Sequence, residues 1–210
     1  MAERQAIEEE GSAGYERVVA FSDGVFAIAI TLLVLALGVP DLPDAKAPDE
    51  LPRALRELVP QVVSYFIGFA VIGAFWLGHH RFFALLRRFD GTLLTLNLAF
   101  LAFISLMPFT TGVFGRYSDV EIAVVLYACN VIAASALDTA MLWVALRRGL
   151  LAPGAGTPGA MLLLNAFPGL VFLCSVPVAL VAPEVAPWLW IALALGPAFV
   201  RPRLRREPIA

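Results

Sequence analysis

RVVAFSDGVFAIAITLLVLALGVP, residues 17–40, decides the class of this fold. After Asp23 the stretch is apolar except for Thr31. A run of about 20 apolar residues is the length of a helix that crosses a bilayer. Arg17, Ser22 and Asp23 stand at its mouth.

The rest of the chain agrees. It has 210 residues, of which 60% are hydrophobic and 15% charged, with mean hydropathy +0.82. A water-soluble domain cannot hide that much apolar surface, so the composition excludes one. Six apolar stretches follow one another, over about 18–39, 58–78, 92–114, 120–146, 160–182 and 185–200. Pro108–Phe109 is expected to break the outer end of the third, Pro168 and Pro177 to kink the fifth, and Pro187 and Pro197 interrupt the short sixth. PDLPDAKAPDELPR (40–53) reads as a loop, HHRFFALLRRFD (79–90) as a basic connection and APGAGTPG (152–159) as a turn. The expected division is a cytoplasmic arm over 1–16, a six-helix membrane domain over 17–200 and a basic tail over 201–210. The acidic arm lacks the basic start and cleavage site of a signal peptide.

Orientation follows from the cations. Eleven arginines fall on the side of both termini and four Lys or Arg on the other. Positive residues concentrate on the cytoplasmic side, which places both termini there, as an even number of spans requires. The tail RPRLRRE reads as a membrane-surface anchor rather than a nucleic-acid site. Abundant alanine and a single lysine, Lys46, hint at a GC-rich bacterial genome.

The polar mouth has two readings. Ser22 and Asp23 can cap a helix start and complement its dipole, with Arg17 an interfacial anchor. Alternatively they meet Trp76, His79 and His80, which end the second span at the same membrane face. Polar groups at that depth are costly unless paired, and paired ones often mark function. Metal sites need three or four converging ligands and the chain has only 2 His, so no metal is expected there. Deeper in, at about 100° per residue, Gly24, Ile28, Thr31, Leu32 and Leu35 share one helix face. Phe26, Ile30, Leu33 and Leu37 take the opposite face. Both faces are apolar, so hydrophobicity leaves open which meets lipid.

Other residues carry weaker signals. Asp138 is the one acid inside the fourth span, to be read as a cation or proton site or as a buried partner for an arginine, Ser135 or Thr139. Asn97, Asn130 and Asn165 suit interhelical hydrogen bonds. Trp188 and Trp190 suit the outer interface. Cys129 and Cys174 read as small buried side chains rather than a disulfide or metal pair.

Arg17-x-x-x-Phe21-Ser22-Asp23 resembles the signature of the transmembrane protein 175 family of potassium channels. Trp76, His79–His80–Arg81–Phe82 and NLAFLAFISLMPFTTGVFGRY (97–117) extend the likeness over roughly the first 120 residues, in the manner of the prokaryotic branch. The resemblance implies a six-helix all-α subunit without a re-entrant pore loop, assembled as a homotetramer in the bacterial cell membrane. It implies a central pore lined by the first helix, with the tightest ring at Ile28, further rings at Leu32 and Leu35, and a hydroxyl ring at Thr31. Potassium is then the permeant ion, passing near Ile28 and Thr31, with weak preference over sodium. Arg17, Phe21, Ser22, Asp23, Trp76, His79 and His80 become a scaffold that sets the rotation of the first helix. No cofactor, resident metal, enzymatic activity or nucleic-acid partner is implied; the partners are lipid, monovalent cations and further copies of the chain. A secondary transporter would usually show internal repeats, broken helices and midplane polar groups, whereas here the first helix reads as unbroken and apolar and no repeat is visible. A proton-permeable cation leak is the other alternative.

Overall fold

The computed structural model describes residues 2–154 and 157–190. Its elements are α1 (Ala2–Leu32), a 3-10 turn (Leu33–Ala36), α2 (Ala47–Glu57), α3 (Val59–Leu85), α4 (Gly91–Arg116), α5 (Glu121–Arg147), α6 (Pro158–Ala179) and α7 (Ala186–Leu189). No strand occurs among the described residues, so the protein is all-α there. Five segments, Gly14–Ala36 and helices α3 to α6, are long and apolar enough to cross a membrane. The chain is a membrane protein. Most of the sixth expected span and the whole basic tail lie outside the described residues.

The long helices pack in chain order. α1 lies on α3 and α4, α4 on α5, and α5 on α6. The end that carries Arg81, Arg87, Arg88, Arg147 and Arg148 is called the basic end below. There the α3–α4 and α5–α6 loops form a clasp: Arg87 N donates to Leu150 O at 2.9 Å and Ala152 N to Leu85 O at 2.8 Å. Arg148 pairs with Asp90 and also donates to Thr92 Oγ1 at 3.0 Å. Asp90 caps α4 by accepting from Leu93 N at 2.9 Å.

Several local expectations are corrected. The 40–53 loop contains the start of α2, because its prolines and acids sit where a helix start tolerates them. Pro48 lies in the first turn, where no amide is needed, and Asp49 and Glu50 meet the positive end of the dipole. The i,i+4 pairs Lys46–Glu50 and Arg53–Glu57 add support. Pro108 does not end α4, which continues to Arg116 with Pro108 buried. The second span does not stop at Gly78, for α3 carries His79 and Arg81 on to Leu85. Helix is also present through much of the expected N-terminal arm, from Ala2 onward.

Burial adds three more corrections. Cys129 and Cys174 are exposed on the subunit surface, not buried. Trp190 is in the core and donates to Ser175 Oγ at 3.0 Å, while Trp188 is exposed. Asp138 finds Asn165 rather than an arginine or a hydroxyl: Asn165 Nδ2 donates to its Oδ2 at 2.9 Å. Asn97, Asn130 and Asn165 all bond between helices, as expected.

Candidate pore face and its clamp

α1 divides into two faces. Ser22, Phe26, Ala29 and Leu33 are each 1% exposed or less. Their spacing of four, three and four residues is one helical stripe, and it faces α3 and α4. Phe26 packs its ring against His79 and Phe100. On the other side Ile28 is 60% exposed, Leu32 41% and Leu35 74%, and Thr31 is also exposed. Among the described residues, the subunit's own packing thus leaves the Ile28 face of α1 uncovered. Leu35 sits in the 3-10 turn, so the first span is not a single unbroken α-helix.

Thr31 is aimed by its own backbone. Its hydroxyl lies 3.0 Å from Ala27 O and 2.9 Å from Ile28 O. The one proton of a hydroxyl is therefore given to the helix, which leaves oxygen lone pairs free on the exposed face.

Two hydrogen-bonded arms hold the basic end of α1. The inner arm is buried. Ser22 Oγ donates to Val18 O at 2.9 Å and accepts from Asn97 Nδ2 at 3.0 Å. Asn97 Oδ1 is then the acceptor for His79 Nε2 at 2.9 Å, which places the ring proton on Nε2. The chain runs one way, His79 to Asn97 to Ser22 to Val18. The imidazole stacks on Phe83 and Phe100, which exclude water from it. The outer arm is half exposed: Trp76 Nε1 donates to Asp23 Oδ1 at 2.9 Å, and His80 stacks on the Trp76 ring.

Ser22, Asp23, Trp76, His79 and His80 therefore come together in two layers. Arg17 and Phe21 do not join them; both are exposed, and Arg17 forms no ion pair among the described residues. The residue absent from the expected set is Asn97, which joins the two helices. Its signal was present, since an asparagine inside an apolar span needs a partner. Tyr15 adds a further tie, donating to Phe83 O at 2.6 Å.

The other end of the α1 span is fixed by close approach. A Cβ on Gly68 would lie 2.8 Å from Thr111 and 3.1 Å from Leu33, and one on Gly112 would lie 3.1 Å from the Ala36 Cβ. Small residues let these backbones meet, as is common between membrane helices.

The profile of the family described as "Endosomal/lysosomal potassium channel TMEM175" matches residues 17–108, which include the clamp and the exposed face. A potassium channel of Streptomyces collinus is 37% identical over 149 residues, covering 69% of this chain and 71% of that protein. The chain belongs to the TMEM175 family. Its relatives are ion channels rather than enzymes. The mouse endosomal/lysosomal proton channel TMEM175 is 36% identical over 136 residues, which are 61% of this chain but only 27% of that longer protein. Among solved structures, a lysosomal potassium-selective channel TMEM175 homologue from Chamaesiphon minutus superposes with TM-score 0.75 at 26% identity. That superposition covers 92% of this chain and 99% of the other.

Proposed function

We propose that this TMEM175 protein is the subunit of a homotetrameric potassium channel in the bacterial cell membrane. One observation carries the reading: α1 leaves Ile28, Thr31, Leu32 and Leu35 uncovered while its opposite face is buried. An apolar face without a partner in the subunit suits contact around a shared axis. Four copies of Ile28 form the narrowest ring, Leu32 and Leu35 widen it outward, and Thr31 adds hydroxyl oxygens. A narrow apolar ring closes by losing water and opens by wetting or widening. Ions that hold water tightly lose more on partial dehydration, so potassium passes better than sodium, by a modest margin. Potassium is the permeant ion near Ile28 and Thr31, and no cofactor takes part.

The same reading includes six membrane helices, both termini in the cytoplasm and no re-entrant loop. The basic end is then cytoplasmic, with 1–16 as its N-terminal arm, 17–200 as the channel domain and 201–210 as a basic tail. The clamp of Ser22, Asp23, Trp76 and His79 sets the rotation of α1, with Arg17, Phe21 and His80 around it.

A second reading is favoured by the proton-channel name of the mouse relative: protons also cross the pore. Reversal potentials of the purified protein in planar bilayers test both. A potassium–sodium gradient should give a potential on the potassium side of zero, and equal permeability sinks the potassium reading. A pH gradient at symmetric potassium separates proton flow from it.

A further inference from the structure

Asp138 lies on α5 nine residues before Arg147, about 13 Å along the helix and well inside the apolar span. It is 5% exposed. Its Oδ2 accepts from Asn165 Nδ2, but its Oδ1 is buried without any hydrogen-bond partner among the described residues. No countercharge faces it among the described residues. α5 packs against α4 and α6. α4 carries no charged residue before Arg116 at the far end, and α6 carries none at all; its one titratable side chain is Cys174, which is exposed. On α5 itself the remaining titratable groups are Glu121, Tyr127 and Cys129 toward the other end and Arg147, which lies over the Trp143 ring. Arg148 is taken by Asp90.

The partner helix carries a proline at this level. Pro168 has no N–H, so the α6 ladder loses a bond there. The Ser135 hydroxyl of α5 engages the neighbouring rung: it donates to Asn165 O at 3.2 Å and accepts from Gly169 N at 3.0 Å. A Cβ on Gly169 would come within 2.7 Å of Ser135 Oγ, so the seam is tight. The turn 165–169 is thus held by α5, and the same turn presents the Asn165 amide to Asp138.

An ionised carboxylate with one amide donor and no cation, in an apolar seam, carries a large desolvation cost. A proton on Oδ1 removes the charge and turns the orphan acceptor into a donor. Hydroxyls on this helix already bond back by one turn, as Thr139 Oγ1 does to Ser135 O at 2.7 Å. We propose that Asp138 is a proton-binding site beside the Pro168 turn of α6: the α5–α6 seam closes around the neutral acid, and the proton leaves only when the seam opens to water. The site stands apart from the exposed α1 face and does not depend on where the pore lies.

The sign follows from linkage. The closed state holds a proton that the opened chain releases, so stability falls as pH rises. The full chain in lipid nanodiscs is melted from acidic through neutral to alkaline pH, as wild type and as Asp138→Asn, which keeps the shape of the neutral acid. The wild-type midpoint should fall by several degrees relative to the variant's as pH rises, and the two should match at acidic pH. Equal pH profiles for the two overturn the site, as does a midpoint that follows sodium or potassium concentration instead of pH. If Asp138→Asn does not fold, infrared spectra of wild type and Asp138→Glu decide. A protonated-carboxyl carbonyl band at neutral pH that moves in the glutamate variant supports the site, and the absence of such a band overturns it.

Discussion

Trp76 on α3 donates its indole N–H to the Asp23 carboxylate on α1 at 2.9 Å, one turn outside the buried bond between His79 and Asn97. The two contacts tie α1 to its neighbouring helices by different means. The outer one is a charge-assisted bond in a partly wet setting, and the inner one is a buried amide bridge. Each has its own signature under mutation.

Trp76→Phe keeps an aromatic surface and removes only the donor. A hydrogen bond to a charged acceptor contributes about 1.5–3 kcal/mol, less where water competes. The variant should assemble and melt a few degrees lower. Asp23→Ala also leaves the indole N–H without its partner, and should reduce assembly more than ion preference. Size-exclusion chromatography of detergent extracts reads this, and a fully assembled, normally stable Asp23→Ala protein counts against the clamp.

Asn97→Leu cuts the inner arm at its centre. His79 Nε2–H then has no acceptor in an apolar site, at a cost of about 1–3 kcal/mol. Ser22→Ala alone should cost less, because Asn97 keeps His79. The pair Ser22→Ala with Asn97→Leu should be less harmful than the sum of the two, since both break one chain. Thermal melts of the four proteins give the coupling, and strict additivity contradicts the chain.

Gly68→Val should displace the half of α1 away from the basic end. The added side chain begins with a Cβ 2.8 Å from Thr111 and 3.1 Å from Leu33. Overpacking of this kind costs about 1–3 kcal/mol. The expected result is a lower melting temperature and altered single-channel conductance. A variant that conducts and melts as wild type does would show that α1 is not held there.

The clasp at the basic end carries a pH dependence. The Leu93 amide, and after it Arg148, hold the Asp90 carboxyl below the usual carboxylate range. A depressed carboxylate stabilises the fold at neutral pH, and that contribution is lost as pH falls through its folded value. Asp90→Asn keeps a good cap and loses the ion pair. It should melt slightly below wild type at neutral pH and converge with it in acid, and a gap that persists in acid would falsify the assignment.

Much of this architecture was legible in the chain. Apolar runs give the membrane helices directly, because a bilayer demands about 20 apolar residues in a row. The helical wheel separated Ile28 from Phe26 but could not say which face was covered, since both are apolar. Packing against α3 and α4 answers that. α2 was hidden because Pro48 and Pro52 read as breakers, while one of them sits in the first turn, where proline fits. His79 read as part of a polar connection because charge and histidine mark loops on average. Its aromatic cage and Asn97 come from other helices and cannot be seen along the chain. Asp138 announced itself as an acid in a span, but the Asn165–Gly169 turn set against it appears only when α5 and α6 lie together.

The central claim is that the uncovered face of α1 lines the ion path with Ile28 at its narrowest point. Planar-bilayer recording of wild type beside Ile28→Asn tests it most directly. A polar ring holds water, so the variant should show larger unitary conductance and a smaller preference for potassium over sodium. Currents and reversal potentials equal to those of wild type would remove Ile28 from the pore and contradict the account.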